Sequence, residues 1–300
     1  MAQQQSLINS LCDEINGLIS DTGMLELPMP GLVIFKHTDA HEKTTDVCDA
    51  GISIILQGKK RVTVEGKSYV QSPPNYLTLL TPMPVRFETL EGNSDSPLFG
   101  IGIYINKVKL ANVLMRMQHA NFAAPREQHK HHSVIYSSPL DSELLATLLS
   151  ILRRCQNPLE MAVLGENLED ELYFRLLSQP ANAPLIDFVH NSGKVHQISK
   201  AVEFIHQNIQ SATSVEELAK QVNMSNSGFQ KRFKEVMHIS PVQYAKQVKL
   251  GRARSLIMQG ESVSAAFNSV GYNNAGQFSR EYKRHFGVSP SEETKTSLVN

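Results

Sequence analysis

One stretch near the C-terminal end of the chain occurs twice. Phe229-Gln-Lys-Arg-Phe-Lys-Glu-Val-Met-His-Ile-Ser-Pro241 is answered by Phe278-Ser-Arg-Glu-Tyr-Lys-Arg-His-Phe-Gly-Val-Ser-Pro290. Phe229 pairs with Phe278, Lys231 with Arg280, Phe233 with Tyr282, and Ser240-Pro241 with Ser289-Pro290, all at an offset of 49 residues. Upstream, Ser214-Val215 and Val222 match Ser262-Val263 and Val270 at an offset of 48, so one residue is inserted between. A repeat of this length is one supersecondary unit used twice.

Each copy reads as helix, short turn, helix. In the first, Ser214 and Glu217 have the spacing of a capping box, which closes the free N–H groups of a helix start. Leu218, Ala219 and Val222 follow as an apolar stripe, and Asn223-Met224-Ser225 forms the turn, where Asn tolerates left-handed backbone. Phe229 and Phe233 stand one helical turn apart and face inward. That leaves Asn226, Ser227, Gln230, Lys231 and Lys234 outward. The second copy turns at Gly271-Tyr272-Asn273, buries Phe278 and Tyr282, and leaves Asn274, Gly276, Gln277, Arg280 and Lys283 outward. An outward helix carrying Gln, Lys and Arg suits the major groove, where these side chains meet base edges. Ser227, Gln230 and Lys231 are the expected base readers of the first helix, and Gln277 and Arg280, with Asn274, those of the second. The smallness of Ala275 and Gly276 predicts fewer base contacts there. Either copy alone is equally an ordinary helical hairpin with a solvated charged face; the tandem, with cations at matching positions, favours DNA.

These residues resemble the C-terminal DNA-binding domain of AraC/XylS-type transcription regulators over roughly residues 196–290. The resemblance rests on Val215-Glu-Glu-Leu-Ala219, Phe229-Gln-Lys-Arg-Phe-Lys234, Ser240-Pro241 with Tyr244, Lys249-Leu-Gly-Arg-Ala-Arg-Ser-Leu256, Val270-Gly-Tyr272, and Phe286-Gly-Val-Ser-Pro290. It implies two helix-turn-helix units joined by a helix over 241–259 and meeting successive major grooves about one turn (~34 Å) apart. Three positions depart from the family pattern: His238 and Asn223 stand where glycine is usual, and Lys249 where arginine is. Asn and His are among the commoner non-glycine residues at positive φ, so the fold is expected to survive.

Charge agrees with that division. The chain is neutral overall, yet residues 195–300 carry 13 Lys/Arg against 8 Asp/Glu, a net of +5, leaving −5 for residues 1–194. The basic half is the repeated half, where phosphate contacts would need it. Cys12, Cys48 and Cys155 are too few and too scattered for a disulfide framework, which fits a reducing cytoplasm. No apolar run approaches the ~20 residues of a membrane span, so no membrane association is expected.

The N-terminal half is different. Leu7, Ile8, Leu11, Ile15, Leu18 and Ile19 predict an amphipathic helix over 6–20. From about 31 to 105 short branched and aromatic runs alternate with turns: 31–35, 51–56, 60–65, 68–70, 76–80, 85–89 and 98–105. Many short strands at close spacing predict a barrel or jelly roll. The block resembles the cupin-like N-terminal domain of a subgroup of AraC-type regulators, through Ser53-Ile-Ile-Leu-Gln-Gly-Lys59, Tyr76-Leu77, Pro82-Met-Pro-Val85 and Pro97-Leu98. That resemblance implies a small effector inside the barrel, of a chemistry it does not specify.

Nothing marks an enzyme. A metal-dependent cupin needs a His-x-His pair facing the interior, but no His occurs between His41 and His119. The cluster His129-Lys-His131-His132 follows Pro125 in a polar segment and reads as a solvated loop. Arg86 and Glu88 share a strand face without a nucleophile or an oxyanion hole. Cys48 lies between Asp46 and Asp49, whose charge would raise a thiol pKa and argues against a sensor thiol. No cofactor and no metal are expected.

Residues 139–180 read as two helices broken at Asn157-Pro158. Leu144, Leu145, Leu148, Leu149 and Leu152 make a broad stripe that must be buried. The resemblance adds that Leu145, Leu148, Leu149 and Leu152 also form a homodimer contact. The domains expected are thus 1–180, effector-sensing, with its helical part at 139–180; 181–195, a hinge; and 196–300, DNA-binding. The fold class is α+β multidomain, a cupin-like β-barrel with flanking helices followed by an all-α double helix-turn-helix. The expected function is an effector-controlled transcription regulator. Its partners would be double-stranded DNA, a small molecule, a second copy and, as a further candidate, RNA polymerase. A metal-free cupin-type enzyme or carrier with a helical appendage is the alternative.

Overall fold

The computed structural model describes residues 2–39, 42–64, 67–122, 134–189, 194–211, 214–237 and 239–297. The histidines at 129, 131 and 132, and His238, lie outside these residues.

Ten strands are described: β1 (Gly23–Glu26), β2 (Leu32–His37), β3 (Glu42–Cys48), β4 (Gly51–Gln57), β5 (Lys59–Val64), β6 (Lys67–Gln71), β7 (Asn75–Leu79), β8 (Met83–Glu91), β9 (Leu98–Tyr104) and β10 (Ile135–Pro139). They form a six-stranded sheet in the order β1-β2-β9-β4-β7-β10 and a four-stranded sheet in the order β3-β8-β5-β6. All pairings are antiparallel. The two sheets face each other as an open barrel, and the expected cupin-like domain is present. β1, β3 and β10 add to the strands expected from the sequence.

Helices cover the outer side of the larger sheet. α1 (Ala2–Leu18) packs on β2, β4 and α3 (Ser142–Cys155), and α3 packs on α4 (Pro158–Ser178). Asp141 and Asn157 cap α3 and α4 with their side chains, which fixes the break at Asn157-Pro158. The sequence left α2 (Lys107–His119) unread, although Leu110, Val113, Leu114 and Met117 recur at helical spacing and are buried. Lys109 and Arg116 of α2 pair with Asp170 of α4.

The leucines of α3 correct one expectation. Leu145, Leu148 and Leu152 are 0% exposed and Leu149 is 8% exposed within a single chain, in one core with Ile8, Leu11 and Ile15 of α1. Covering by α1 uses the stripe, so those four side chains are not a surface for a second copy. Leu159, Val163 and Leu164 on the first turns of α4 are among the solvent-facing apolar side chains.

The segment expected as a hinge is partly docked. Pro180–Asn182 form a 3-10 turn and Ala183–Val189 form α5, with Leu185, Ile186 and Phe188 buried. Asn182 Nδ2 donates to Tyr76 Oη, and Tyr76 donates to Gln179 Oε1, each at 2.7 Å. That buried network ties the turn to β7.

The C-terminal domain contains α6 (Lys194–Gln207), α7 (Val215–Gln221), α8 (Asn226–Met237), α9 (Pro241–Met258), α10 (Val263–Ser269), α11 (Ala275–Phe286) and α12 (Pro290–Ser297). It does not stand apart from the barrel. α9 packs on β3 and β8, and α11 reaches β3. At 100° per residue, Tyr244, Val248 and Gly251 share the face of α9 turned to the barrel. A Cβ at Gly251 would lie 3.0 Å from Val47 Cγ2, so a glycine permits this approach.

Tyr244 is the polar centre of the contact. Its hydroxyl donates to the Pro82 carbonyl at 2.7 Å. With that proton engaged, the 2.8 Å contact to His206 Nε2 requires the histidine to donate. Burial holds the His206 pKa below its ordinary value against the opposing charge of Asp49. Tyr244→Phe would leave a half-buried carbonyl and a half-buried imidazole N–H without partners. The expected loss is about 1–3 kcal/mol in urea unfolding; an unchanged midpoint and slope would show that water replaces the hydroxyl at no cost.

Candidate nucleic-acid interface and effector cavity

Both repeat units fold as helix, turn, helix, and the same local chemistry builds each. Ser214 Oγ accepts from Glu217 N at 3.1 Å while Glu217 Oε2 accepts from Ser214 N at 2.8 Å, completing the expected capping box. Asn223 adopts φ 54°, the left-handed backbone expected of the turn. α8 is started by Ser225, whose Oγ accepts from Gly228 N at 3.2 Å. Phe229 and Phe233 are fully buried, with ring centres 5.5 Å apart, and Phe233 lies 5.7 Å from Tyr244.

The second unit needs its glycine more strictly. Gly271 has φ 72°, and a Cβ there would fall 1.9 Å from the Gln210 carbonyl oxygen. Asn274 caps α11 by accepting from Gln277 N at 2.8 Å, so its Oδ1 already has a structural duty. Phe278, Tyr282 and Phe286 face the core. Gly287 ends the helix with φ 83°.

The side chains expected to meet DNA are all solvent-facing. Asn226, Ser227, Gln230, Lys231 and Lys234 are exposed on α8, and Asn274, Gly276, Gln277, Arg280 and Lys283 on or at the start of α11. Among the described residues no carboxylate pairs with Lys231, Lys234, Arg280 or Lys283, although cations elsewhere in the domain are paired. Two patches of positive charge thus stand at equivalent places of the two units. Gln230 Nε2 donates to Asn226 Oδ1 at 2.9 Å, which aligns the two amides along α8.

The sequence missed Glu281. Its carboxylate accepts from Tyr272 Oη at 2.8 Å, from Lys246 Nζ at 3.1 Å and from Gln277 Nε2 at 3.4 Å. Burial raises its pKa, but the bonds from Tyr272 and Lys246 outweigh that and hold it below the ordinary value. Of the cations on α9, Lys246 pairs with Glu281 and Arg254 with Glu293, while Lys249 donates to the Ser211 carbonyl at 3.2 Å. Arg252 is exposed.

A second site lies between the sheets. A cavity of about 450 Å³ is walled by Val33, Phe35, Val62, Leu77, Leu79 and Phe87, with Lys60, Gln71 and Thr89 among its polar groups. This volume is in the range of small-molecule sites. Glycines on β9 leave the space open: a Cβ at Gly102 would fall 2.6 Å from Val33 Cγ2, and one at Gly100 2.1 Å from the Phe35 ring. Cys48, half-buried, and Asp49 line the end nearest α9. No three His, Cys, Asp or Glu side chains converge as metal ligands among the described residues. No described helix is long and apolar enough to cross a membrane.

Comparison with known proteins agrees with both halves. Residues 28–183 match the family described as the AraC-type transcriptional regulator N-terminus, and residues 218–296 match a helix-turn-helix domain family. The Msm operon regulatory protein of Streptococcus mutans is 29% identical over 157 residues, 50% of this chain and 55% of that protein. The lactose operon transcription activator of Staphylococcus xylosus is 34% identical over 96 residues, 32% of this chain and 34% of that protein. The chain thus spans about half the length, or less, of these relatives. Among solved structures, ToxT from Vibrio cholerae superposes with a TM-score of 0.58 at 13% identity, covering 88% of this chain and 97% of that one. Wild-type ToxT with an unsaturated fatty acid bound gives 0.55 at 14% identity, covering 92% and 97%. At such identity the likeness is one of fold.

Lys231→Ala or Arg280→Ala is expected to cost roughly 1–3 kcal/mol in DNA affinity and to relax preference at one base position, as read by binding to a set of single-base variants. Lys234→Ala or Lys283→Ala should weaken all sequences alike and lower the salt slope by about one. Uniform weakening by the first pair would make them phosphate contacts.

Proposed function

The chain belongs to the AraC-type transcriptional regulators, and on that premise we propose that it is a sequence-specific DNA-binding regulator controlled by a small molecule held between its sheets. The observation that carries the reading is the pair of exposed faces on α8 and α11, each offering amides and cations that no carboxylate of the described residues neutralises. Lys231 and Arg280, with Gln230, Ser227 and Gln277, are the proposed base readers. Lys234 and Lys283 serve the backbone. Asn274 acts by capping α11 and so setting Gln277, and Asn226 by aligning Gln230.

Control runs through β3. Its register with β8 pairs Cys48 with Met83 and Val47 with Pro84. Val47 and Cys48 both line the cavity, and Val47 also lies against α9 at Gly251. The proposed link thus runs from the cavity wall to α9. A bound molecule that shifts β3 alters the docking of α9, and it changes DNA affinity only as far as it binds the two arrangements unequally. The fatty acid of the ToxT structure supports this fold as one that can hold a small molecule. A homodimer on the exposed Leu159, Val163 and Leu164 of α4, acting on DNA in the cytoplasm, completes the reading.

Selection from a sheared genomic pool tests it. The purified chain is expected to enrich fragments sharing one motif, bound about 10³-fold or more above unrelated DNA, and metabolite extract should shift that affinity. Equal retention of all fragments would leave only non-specific charge attraction.

A further inference from the structure

α11 carries a single acidic residue, Glu281, among several cations. An anion on a DNA-facing helix works against phosphate, so it is useful there only if it serves something else. Tyr272 Oη donates to Glu281 Oε2 at 2.8 Å, and Lys246 Nζ donates to Oε1 at 3.1 Å. The carboxylate is thus held from the turn of its own unit and from α9, with the side chain only 14% exposed. A third donor reaches it from the DNA-facing side: Gln277 Nε2 lies 3.4 Å from the same Oε1. Gln277 and Glu281 are one helical turn apart and share a face. With Tyr272 and Lys246 they line one cleft between α9 and α11. Gln277 itself is exposed, and its backbone N–H is fixed by the Asn274 side chain.

This contact gives the Gln277 amide one polarity. A primary amide has two N–H groups and one carbonyl oxygen. With one N–H on Glu281, the carbonyl oxygen and the other N–H are turned away from the carboxylate. Flipped over, the amide would set its oxygen against Glu281, acceptor against acceptor. In the major groove adenine presents the N6 amino donor beside the N7 acceptor, which matches a carbonyl oxygen beside an N–H. Guanine presents O6 and N7, both acceptors, so the outward carbonyl meets O6 unfavourably. Excluding the wrong partner in this way is specificity by repulsion.

We propose that Glu281 is the positioning residue of the second helix-turn-helix unit: by holding the Gln277 carbonyl outward it selects adenine and rejects guanine at the base pair that Gln277 meets. The inference rests on the reading of α11 as a DNA-facing helix and names the base it prefers. Glu281 makes no contact with DNA and acts through Gln277 alone.

The test uses the full chain, the motif it enriches from genomic DNA, and single-base variants of that motif. Gln277→Ala locates the contacted pair as the position whose preference it abolishes. There the parent chain is expected to bind adenine about tenfold more tightly than guanine. Glu281→Met should cut that ratio to about twofold or less, while preferences at the positions read by Lys231 stay within about twofold of the parent. Glu281→Gln keeps an oxygen for Gln277 and Lys246 and can turn its amide N–H to the Tyr272 oxygen, so it should keep the ratio. Lys246→Met combined with Glu281→Met removes both charges and leaves no unpaired ammonium; it should lose the ratio too, and it carries the test where the single variant does not fold. A guanine preference in the parent chain, a ratio that survives both Met variants, a ratio lost equally in Glu281→Gln, or a Gln277→Ala that changes no position overturns the role of Glu281 and leaves DNA recognition in place. A parent chain that enriches no motif sinks the DNA-binding reading itself.

Discussion

Helix α9 is packed on two sides at once, and the rest of the arrangement depends on it. Tyr244, Val248 and Gly251 turn toward the barrel, where Tyr244 donates to the Pro82 carbonyl and Gly251 admits Val47. Leu250, Ala253 and Ile257 join the core of the second helix-turn-helix unit with Phe278 and Tyr282. Phe233 of the first unit also rests on Tyr244. One helix is therefore the shared wall of three bodies, and buried helices packed to crystal-like density shift as units. Whatever moves α9 moves both DNA-facing helices together.

The same logic explains why the cavity sits where it does. A barrel whose interior were filled would only scaffold the second domain. Gly100 and Gly102 leave the interior open, and β3, the strand that closes it on one side, is the strand on which α9 rests. The charge pattern is arranged to match. Cations that serve packing are paired, as Lys246 is with Glu281 and Arg254 with Glu293, whereas Lys231, Lys234, Arg280 and Lys283 are held outward. Pairing lowers the desolvation cost of an interior charge; leaving the outer ones unpaired keeps them available to phosphate and base edges.

The double unit was legible in the sequence because its determinants are local. Phe229 with Phe233, and Phe278 with Tyr282, declare a buried helix face within four residues, and Ser214 with Glu217 declare a helix start within three. Asn223 at the turn has the positive φ its residue type allows. The strands with branched, alternating residues were legible for the same reason. β3 was not, since Lys43-Thr-Thr-Asp46 carries no apolar alternation and its place comes from β8 and α9. The α3 leucines announced that they must be buried without saying by what, and α1 supplies the answer. Glu281 was invisible because its partners Tyr272 and Lys246 are brought to it only by the tertiary fold. The cavity, likewise, comes from two glycines that read as ordinary strand residues until Val33 and Phe35 are seen to lean over them.

The central claim is that α9 holds the two outward helices at one turn of DNA from each other. Hydroxyl-radical cleavage of a bound fragment measures this at single-nucleotide resolution. The account predicts two protected windows on one face of the duplex, centred about 10.5 base pairs apart. A single window, or two windows on opposite faces, would contradict it.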